Sequence, residues 1–271
     1  MLEFFYYEFL QRAFLASILC GLTCGIIGVW VVLLNIPFVG VAMSHSAFAG
    51  AVIGILVGVE PFFMAMFFCI ITSLLIGPIA EKGNFSPSIS TGIIFSFVLS
   101  IAFLGLGMIK GTKTDALNIM WGNILTITNR NLMFLFIITI LTIIFLILFY
   151  KEILAVIFNR EISMSVGILE KPIFFILVFL CGIIITFNLN IIGGILIFSL
   201  ITIVPMSAYQ LTYNLKFMYL LSCLFGIVSC LTGFFLSYWL DLPSGAMIII
   251  VANIIFLFCI IFSPKRRYEN R

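Results

Sequence analysis

The chain is 271 residues long, 64% hydrophobic and only 8% charged, with a formal net charge of +3 and a mean hydropathy of +1.35. A soluble domain carries about 25% charged residues, so this composition excludes a water-soluble globular fold, a disordered tail protein and a nucleic-acid-binding surface. What remains is an all-α, polytopic helical membrane protein embedded in a lipid bilayer.

The 13 basic and 10 acidic residues leave charge-free stretches at 13–59, 61–80, 83–109, 131–150, 172–215, 217–240 and 242–264. A spanning helix needs about 20 apolar residues. The two longest stretches therefore hold two spans each and the others one each, which gives about nine transmembrane helices. In chain order, Met1–Arg12 carries Glu3 and Glu8 ahead of any basic residue, unlike a secretory signal, which opens with a basic region. The first span is expected to insert and stay, with Phe4, Phe5, Tyr6 and Tyr7 as an interfacial anchor. The expected spans are 13–34, 38–59, 62–80, 88–109, 131–149, 172–188, 192–209, 217–239 and 245–262. They are separated by the breakers Asn35-Ile-Pro37, Glu60-Pro61, Glu81 to Pro87, Asn188-Leu-Asn190 and Asp241 to Gly245. Two connections are long: 110–130, with Lys110, Lys113, Asp115 and Arg130, and 150–171, which reads as a short amphipathic helix. No repeat and no second domain is evident, so residues 1–271 read as one transmembrane domain.

With nine spans, one face carries Lys82, Lys151, Arg160, Lys171, Lys216, Lys265, Arg266, Arg267 and Arg271; the other carries Arg12, Lys110, Lys113 and Arg130. Basic residues concentrate on the cytosolic side, so the C-terminus is expected inside and the N-terminus outside.

Few side chains in the spans can carry chemistry. The seven cysteines (Cys20, Cys24, Cys69, Cys181, Cys223, Cys230 and Cys259) all fall inside spans, which argues against a disulfide framework. Cys20 and Cys24 share a helix face; that spacing admits soft-metal ligation, but buried free cysteines ordinarily pack as small apolar residues. The single histidine, His45, lies in Val41-Ala-Met-Ser-His-Ser-Ala-Phe-Ala-Gly50. Ionisable groups inside a membrane are costly and usually face a bundle interior or a pathway, and neutral imidazole is the commonest transition-metal ligand. A histidine bonded to a neighbouring helix, with no transported ligand, satisfies the same pattern. At about 1.5 Å per residue, His45 lies roughly 12 Å beyond Pro37, near the midplane.

The same helix carries Ala42, Ser46, Gly50, Gly54 and Gly58 at four-residue spacing, and the first span carries Gly21 and Gly25. Small residues so spaced let helix backbones approach closely; Ser46, Gly50, Gly54 and Gly58 are the expected packing stripe, with His45 beside it in the protein interior. The chain has no Gly-x-x-x-x-Gly-Lys phosphate loop, no Cys-x-x-Cys, no His-Glu-x-x-His and no acidic residue inside a span. Neither an ATPase nor a membrane protease is expected, and any transport would draw its energy from another subunit.

Several segments, in order and at matching spacing, resemble the permease subunit of the manganese/zinc/iron class of ATP-binding-cassette importers. They are Gly40 to Gly54, Trp121-Gly-Asn-Ile-Leu125, Phe158-Asn-Arg-Glu-Ile-Ser-Met-Ser-Val-Gly167, Ile192 to Ala208 around Pro205, and Leu240-Asp-Leu-Pro-Ser-Gly245. The resemblance implies a permease homodimer that takes a divalent metal ion from an extracytoplasmic metal-binding protein. A separate ATP-binding-cassette ATPase would drive it by docking on the segment at about 150–171, through Glu161 and Gly167. It also implies a transient metal contact at His45, no permanently bound cofactor and a place in the cell membrane. The chain departs from the family pattern at Val41, where the family has an acidic residue one turn before the histidine, at Leu34 and Asn35 in place of a basic pair, and at Asn159 and Ser163. Val41 is the feature that favours the alternative, a non-transporting assembly or sensor subunit that keeps the permease fold.

Overall fold

The computed structural model describes residues 7–109, 124 and 127–265. Eleven helices run through them: α1 (Glu8–Leu33), α2 (Phe38–Val57), α3 (Pro61–Gly83), α4 (Pro87–Met108), α5 (Asn129–Leu148), α6 (Tyr150–Phe158), α7 (Arg160–Ser165), α8 (Glu170–Ile192), α9 (Gly194–Leu211), α10 (Leu215–Leu240) and α11 (Ser244–Ile261). No strand occurs among the described residues. Eight helices are long and apolar enough to cross a membrane, and α9 adds a shorter apolar stretch, Ile197–Leu211. The expected spans match these nine within a few residues at most ends. The 150–171 connection forms two short helices, α6 and α7, where one was expected.

Most breakers act where the sequence places them. Asn35, Asn84 and Asp241 take left-handed φ values of 55°, 51° and 53°, a region that Asn and Asp tolerate better than other side chains. Pro61 and Pro87 open α3 and α4, where the missing N–H costs no helical bond. Ser86, Thr128 and Asn214 accept the backbone N–H of Ile89, Asn131 and Lys216 and so cap α4, α5 and α10. The break between α8 and α9 is a correction. Asn188 and Asn190 do not end the helix, which continues to Ile192 and turns at Gly193 (φ 98°, ψ 147°). Asn188 stays inside α8 with its amide back-bonded to the Ile184 carbonyl one turn earlier at 2.8 Å and donating to Thr23 Oγ1 at 3.3 Å, a pattern compatible with a continuing helix.

The packing follows from small residues. On α1, an added Cβ at Gly21 would lie 2.5 Å from the Gly226 carbonyl carbon, and one at Gly25 would lie 2.8 Å from Cys223 Cα, so α1 and α10 meet backbone to backbone. Gly28, one turn on, admits Pro205 and the Ile201 carbonyl of α9. Ser222 donates to the Gly25 carbonyl at 2.8 Å, and the fully buried Trp30 donates to Tyr219 Oη at 2.8 Å. Around this pair sit α9 and α11; α2 packs with α3 and α4, and α8 and α9 join the two groups. Helices α1 and α2 are the most buried, and α5 is largely exposed on the outside.

The helix ends sort into two layers. At one end Ser88 donates to the Asn35 carbonyl at 2.6 Å, Lys171 pairs with Glu81 at 3.2 Å, and Ser263 donates to the Gln210 carbonyl at 3.0 Å. This end gathers Lys82, Lys151, Arg160, Lys171, Lys216 and Lys265. Arg12 lies at the other end of α1, and Arg130 lies over the Phe63 and Phe134 rings at 5.9 and 5.7 Å.

Candidate metal pathway and coupling segment

The stripe on α2 and the histidine point different ways. Ser46 Oγ lies 2.7 Å from Thr72 Oγ1 of α3. A Cβ at Gly50 would collide with the Met64 carbonyl and lie 2.8 Å from Ala65 Cα, and one at Gly54 would lie 3.1 Å from Pro61 Cα. All three positions face α3. Gly58 does not extend this contact. It caps α2 at φ 77° with nothing within 4 Å of the place a Cβ would occupy; its task is the left-handed turn. Gly50→Ala is therefore expected to cost about 1–3 kcal/mol and Gly54→Ala under about 1 kcal/mol, since the first must displace backbone it overlaps and the second needs its neighbours to give by only a few tenths of an ångström. Thermal melts of the two purified variants check the order.

His45 is half-buried and faces α4, where its ring meets Phe95 edge to face at 5.0 Å. Its Nδ1 lies 3.0 Å from the Val41 carbonyl of its own helix. A carbonyl can only accept, so this bond requires the proton on Nδ1 and leaves the Nε2 lone pair of the neutral ring unprotonated. That is the arrangement in which metal-binding histidines are oriented by a bond from the second nitrogen. Position 41 thus contributes a main-chain oxygen that orients the ring, while its side chain contributes no ligand. No group of three His, Cys, Asp or Glu residues able to hold a metal ion occurs among the described residues. His45 thus offers a single nitrogen donor, Nε2, beside no second such group among the described residues.

The second candidate segment is α6–α7. Asn159 Oδ1 accepts from the Ile162 N–H at 3.1 Å and caps α7. Gly167, at φ 84°, ends the segment with its N–H donating to the Met164 carbonyl, while the Ile168 N–H returns to the Ser163 carbonyl, both at 3.0 Å. The spacing from Asn159 to Gly167 is thus the frame of one short capped helix. Ser163 is buried and anchors it, while Phe158, Ile162, Met164, Val166 and Leu169 are exposed. So much exposed apolar surface at a basic helix end marks a contact surface. The Glu161 side chain lies outside what the structure describes.

Cys20 and Cys24 are fully buried with their sulfurs 3.9 Å apart, in keeping with packing. Phe4 to Tyr6, Lys110, Lys113, Asp115, the Trp121 to Leu125 motif apart from Ile124, and Arg266 to Arg271 lie outside the described residues. Sequence reasoning missed the counterpart of the α1 glycines, the row Ser222, Gly226, Ser229, Gly233 and Ser237 on α10. Three of the four intervals in this row are the four-residue spacing that was read on α1 and α2. Gly226 receives α1 and Gly233 receives Ile248 of α11.

A bundle of apolar helices with a half-buried imidazole in one span and a capped apolar segment at its basic end is the architecture of a membrane-embedded helical protein. The ABC 3 transport family model matches residues 6–263, and the chain belongs to that family. The chain is 32% identical over 260 residues (96% of this chain, 92% of the relative) to the manganese transport system membrane protein MntC of Listeria monocytogenes. It is 30% identical over 265 residues (98% and 91%) to the protein of the same name from Halalkalibacterium halodurans. Among solved structures, PsaBC from Streptococcus pneumoniae in complex with Fab superposes with a TM-score of 0.85 at 26% identity, covering 97% of this chain and 95% of that one.

Proposed function

We propose that residues 1–271 form one permease domain of a metal importer in the cell membrane, driven by a separate ATP-binding-cassette ATPase and supplied by an extracytoplasmic metal-binding protein. Two copies form the pathway, His45 contacts the ion in passage, and the basic end with the C-terminus lies in the cytosol. The ion is manganese in the first instance, with zinc and ferrous iron as competitors. The observation that carries this reading is the end-to-end likeness to relatives named for manganese transport, 96–98% of this chain. The exposed apolar surface of α6–α7 supports the docking of an ATPase there, and the unprotonated Nε2 of His45 supports a metal contact. Imidazole suits zinc and iron, whereas manganese prefers oxygen donors; with Val41 in place of a carboxylate, the manganese assignment is supported by the relatives' names and not by the donor at His45.

The test is ATP hydrolysis by the permease reconstituted in vesicles with its ATPase and binding protein, with each of the three ions added in turn. Stimulation by manganese is expected; no stimulation by any of the three would sink the importer reading. In the same assay Glu161→Lys should reduce coupled uptake by about ten-fold or more, as loss of an interfacial charge contact does, with membrane insertion unchanged. Unaltered uptake and unaltered co-purification of the ATPase would remove α7 from the docking surface.

A further inference from the structure

At the basic end, a cavity of about 270 Å³ opens between the ends of α1, α9 and α10 and the flank of α6. Its wall is apolar, with Leu33, Leu154, Ile157, Phe158 and Met218, and its rim is polar, with Tyr213 and Lys265. The Lys265 ammonium lies 3.3 Å from the Tyr209 ring centroid and 4.7 Å from that of Tyr213, a cation–π cradle that fixes the charge at the mouth. The base of this arm is tied down, because Ser263 donates to Gln210. Lys216, on the next helix start, lies over the Tyr150 ring at 5.8 Å. No carboxylate lines the cavity among the described residues: Glu81 is paired with Lys171, and Glu170 is buried elsewhere on α8. Burial also lowers the Lys265 pKa from its ordinary value. The cavity sits where four spans end, and it joins an apolar wall to a basic mouth.

We propose that this cavity seats an anionic phospholipid from the adjoining leaflet, its phosphate at Lys265 and the start of an acyl chain against Leu33, Leu154 and Ile157. Basic pockets between membrane helices on the cytoplasmic side bind such headgroups. Because Leu154, Ile157 and Phe158 belong to α6, which leads into the coupling helix α7, an occupied cavity braces the segment on which the ATPase acts. This last consequence rests on the function proposed above; the binding itself does not.

The binding is read on the full-length permease alone. Purified in neutral detergent and exposed to mixed micelles of phosphatidylglycerol and phosphatidylcholine, the protein should retain the anionic lipid about five-fold better, the preference that one basic residue supplies near an anionic surface. Native mass spectrometry counts the bound lipid. Lys265→Gln should bring the two lipids to parity and Lys265→Arg should keep the preference. Equal retention by the wild type, or an unchanged preference in Lys265→Gln, overturns the proposal. So does full displacement of the lipid by inorganic phosphate, which would make the site a phosphate site. If Lys265→Gln strips the ATPase from the complex and leaves lipid retention intact, the cavity is a protein contact and the lipid assignment fails. Lipid preference and metal-dependent hydrolysis are separate readouts, so either reading can fall without the other.

Discussion

Gly226→Leu should abolish most of the folded protein, the largest stability effect expected of any single substitution here. At this position the backbones of α1 and α10 touch. A Cβ would run into the Gly21 carbonyl and lie 3.3 Å from Gly21 Cα, and neither atom can rotate aside as a side chain would. Overfilling a packed site costs about 1–3 kcal/mol and occasionally more; with backbone on both sides the upper part of that range or beyond is expected. The contact also sets the Ser222 bond to the Gly25 carbonyl and the Trp30 bond to Tyr219, so separating the helices breaks two buried polar pairs as well. The measurement is yield and thermal stability of the detergent-purified variant beside Gly92→Leu, a glycine on α4 with open space around it. Equal behaviour of the two would mean that the α1–α10 contact does not hold the bundle together.

That contact illustrates what a sequence can and cannot declare. The spans were legible because charges are costly in hydrocarbon and mark where a helix must leave it; the ends were legible because Asn35, Pro61, Pro87 and Asp241 each act locally. Gly21 and Gly25 announce a close approach, but a small-residue row does not name its partner, and three of the five residues in the row on α10 are serine. The α2 stripe has the same ambiguity. It reads as one surface from Ala42 to Gly58, yet Gly58 serves the turn, because helix length and not spacing decides where the row stops. Asn188 misled for the opposite reason. A polar residue in a span looks like a break, but its amide bonds the Ile184 carbonyl of its own helix, and the packed fold adds Thr23 as a second partner.

Of the candidate site, the helical frame of the 150–171 segment was legible in outline and gained its physical meaning from the fold. The spacing from Asn159 to Gly167 is that of two caps, while the exposure of Phe158 and Val166 emerges only once Ser163 is seen to be buried. The cavity at Lys265 had no signal in the sequence. Its parts come from positions near 33, 154, 213 and 265, which nothing short of the tertiary structure brings together.

His45→Ala should lower metal uptake by at least about ten-fold, the scale on which metal sites respond even to the loss of outer partners, while the melting temperature moves little. The stability half of this expectation follows from the surroundings. The ring is half-buried, its one hydrogen bond is to its own helix at 3.0 Å, and its contact with Phe95 is a single edge-to-face pair, so its removal leaves no buried partner unsatisfied except a carbonyl already within α2. The transport half follows from the unprotonated Nε2 and from the absence of any other histidine in the chain. Val41→Asp is the companion variant. It sets a carboxylate one turn from the imidazole, on the same face, and an oxygen donor there should shift preference toward manganese over zinc. The substitution carries the cost of an acid inside a span, about 2.5–3.5 kcal/mol, which a bound cation offsets, so the variant should melt higher with manganese present than without it. Uptake of radiolabelled manganese and zinc by both variants, with folding checked by melt, decides the matter. Wild-type flux in His45→Ala would reduce the residue to a packing partner of Phe95 and move the pathway to another face of α2.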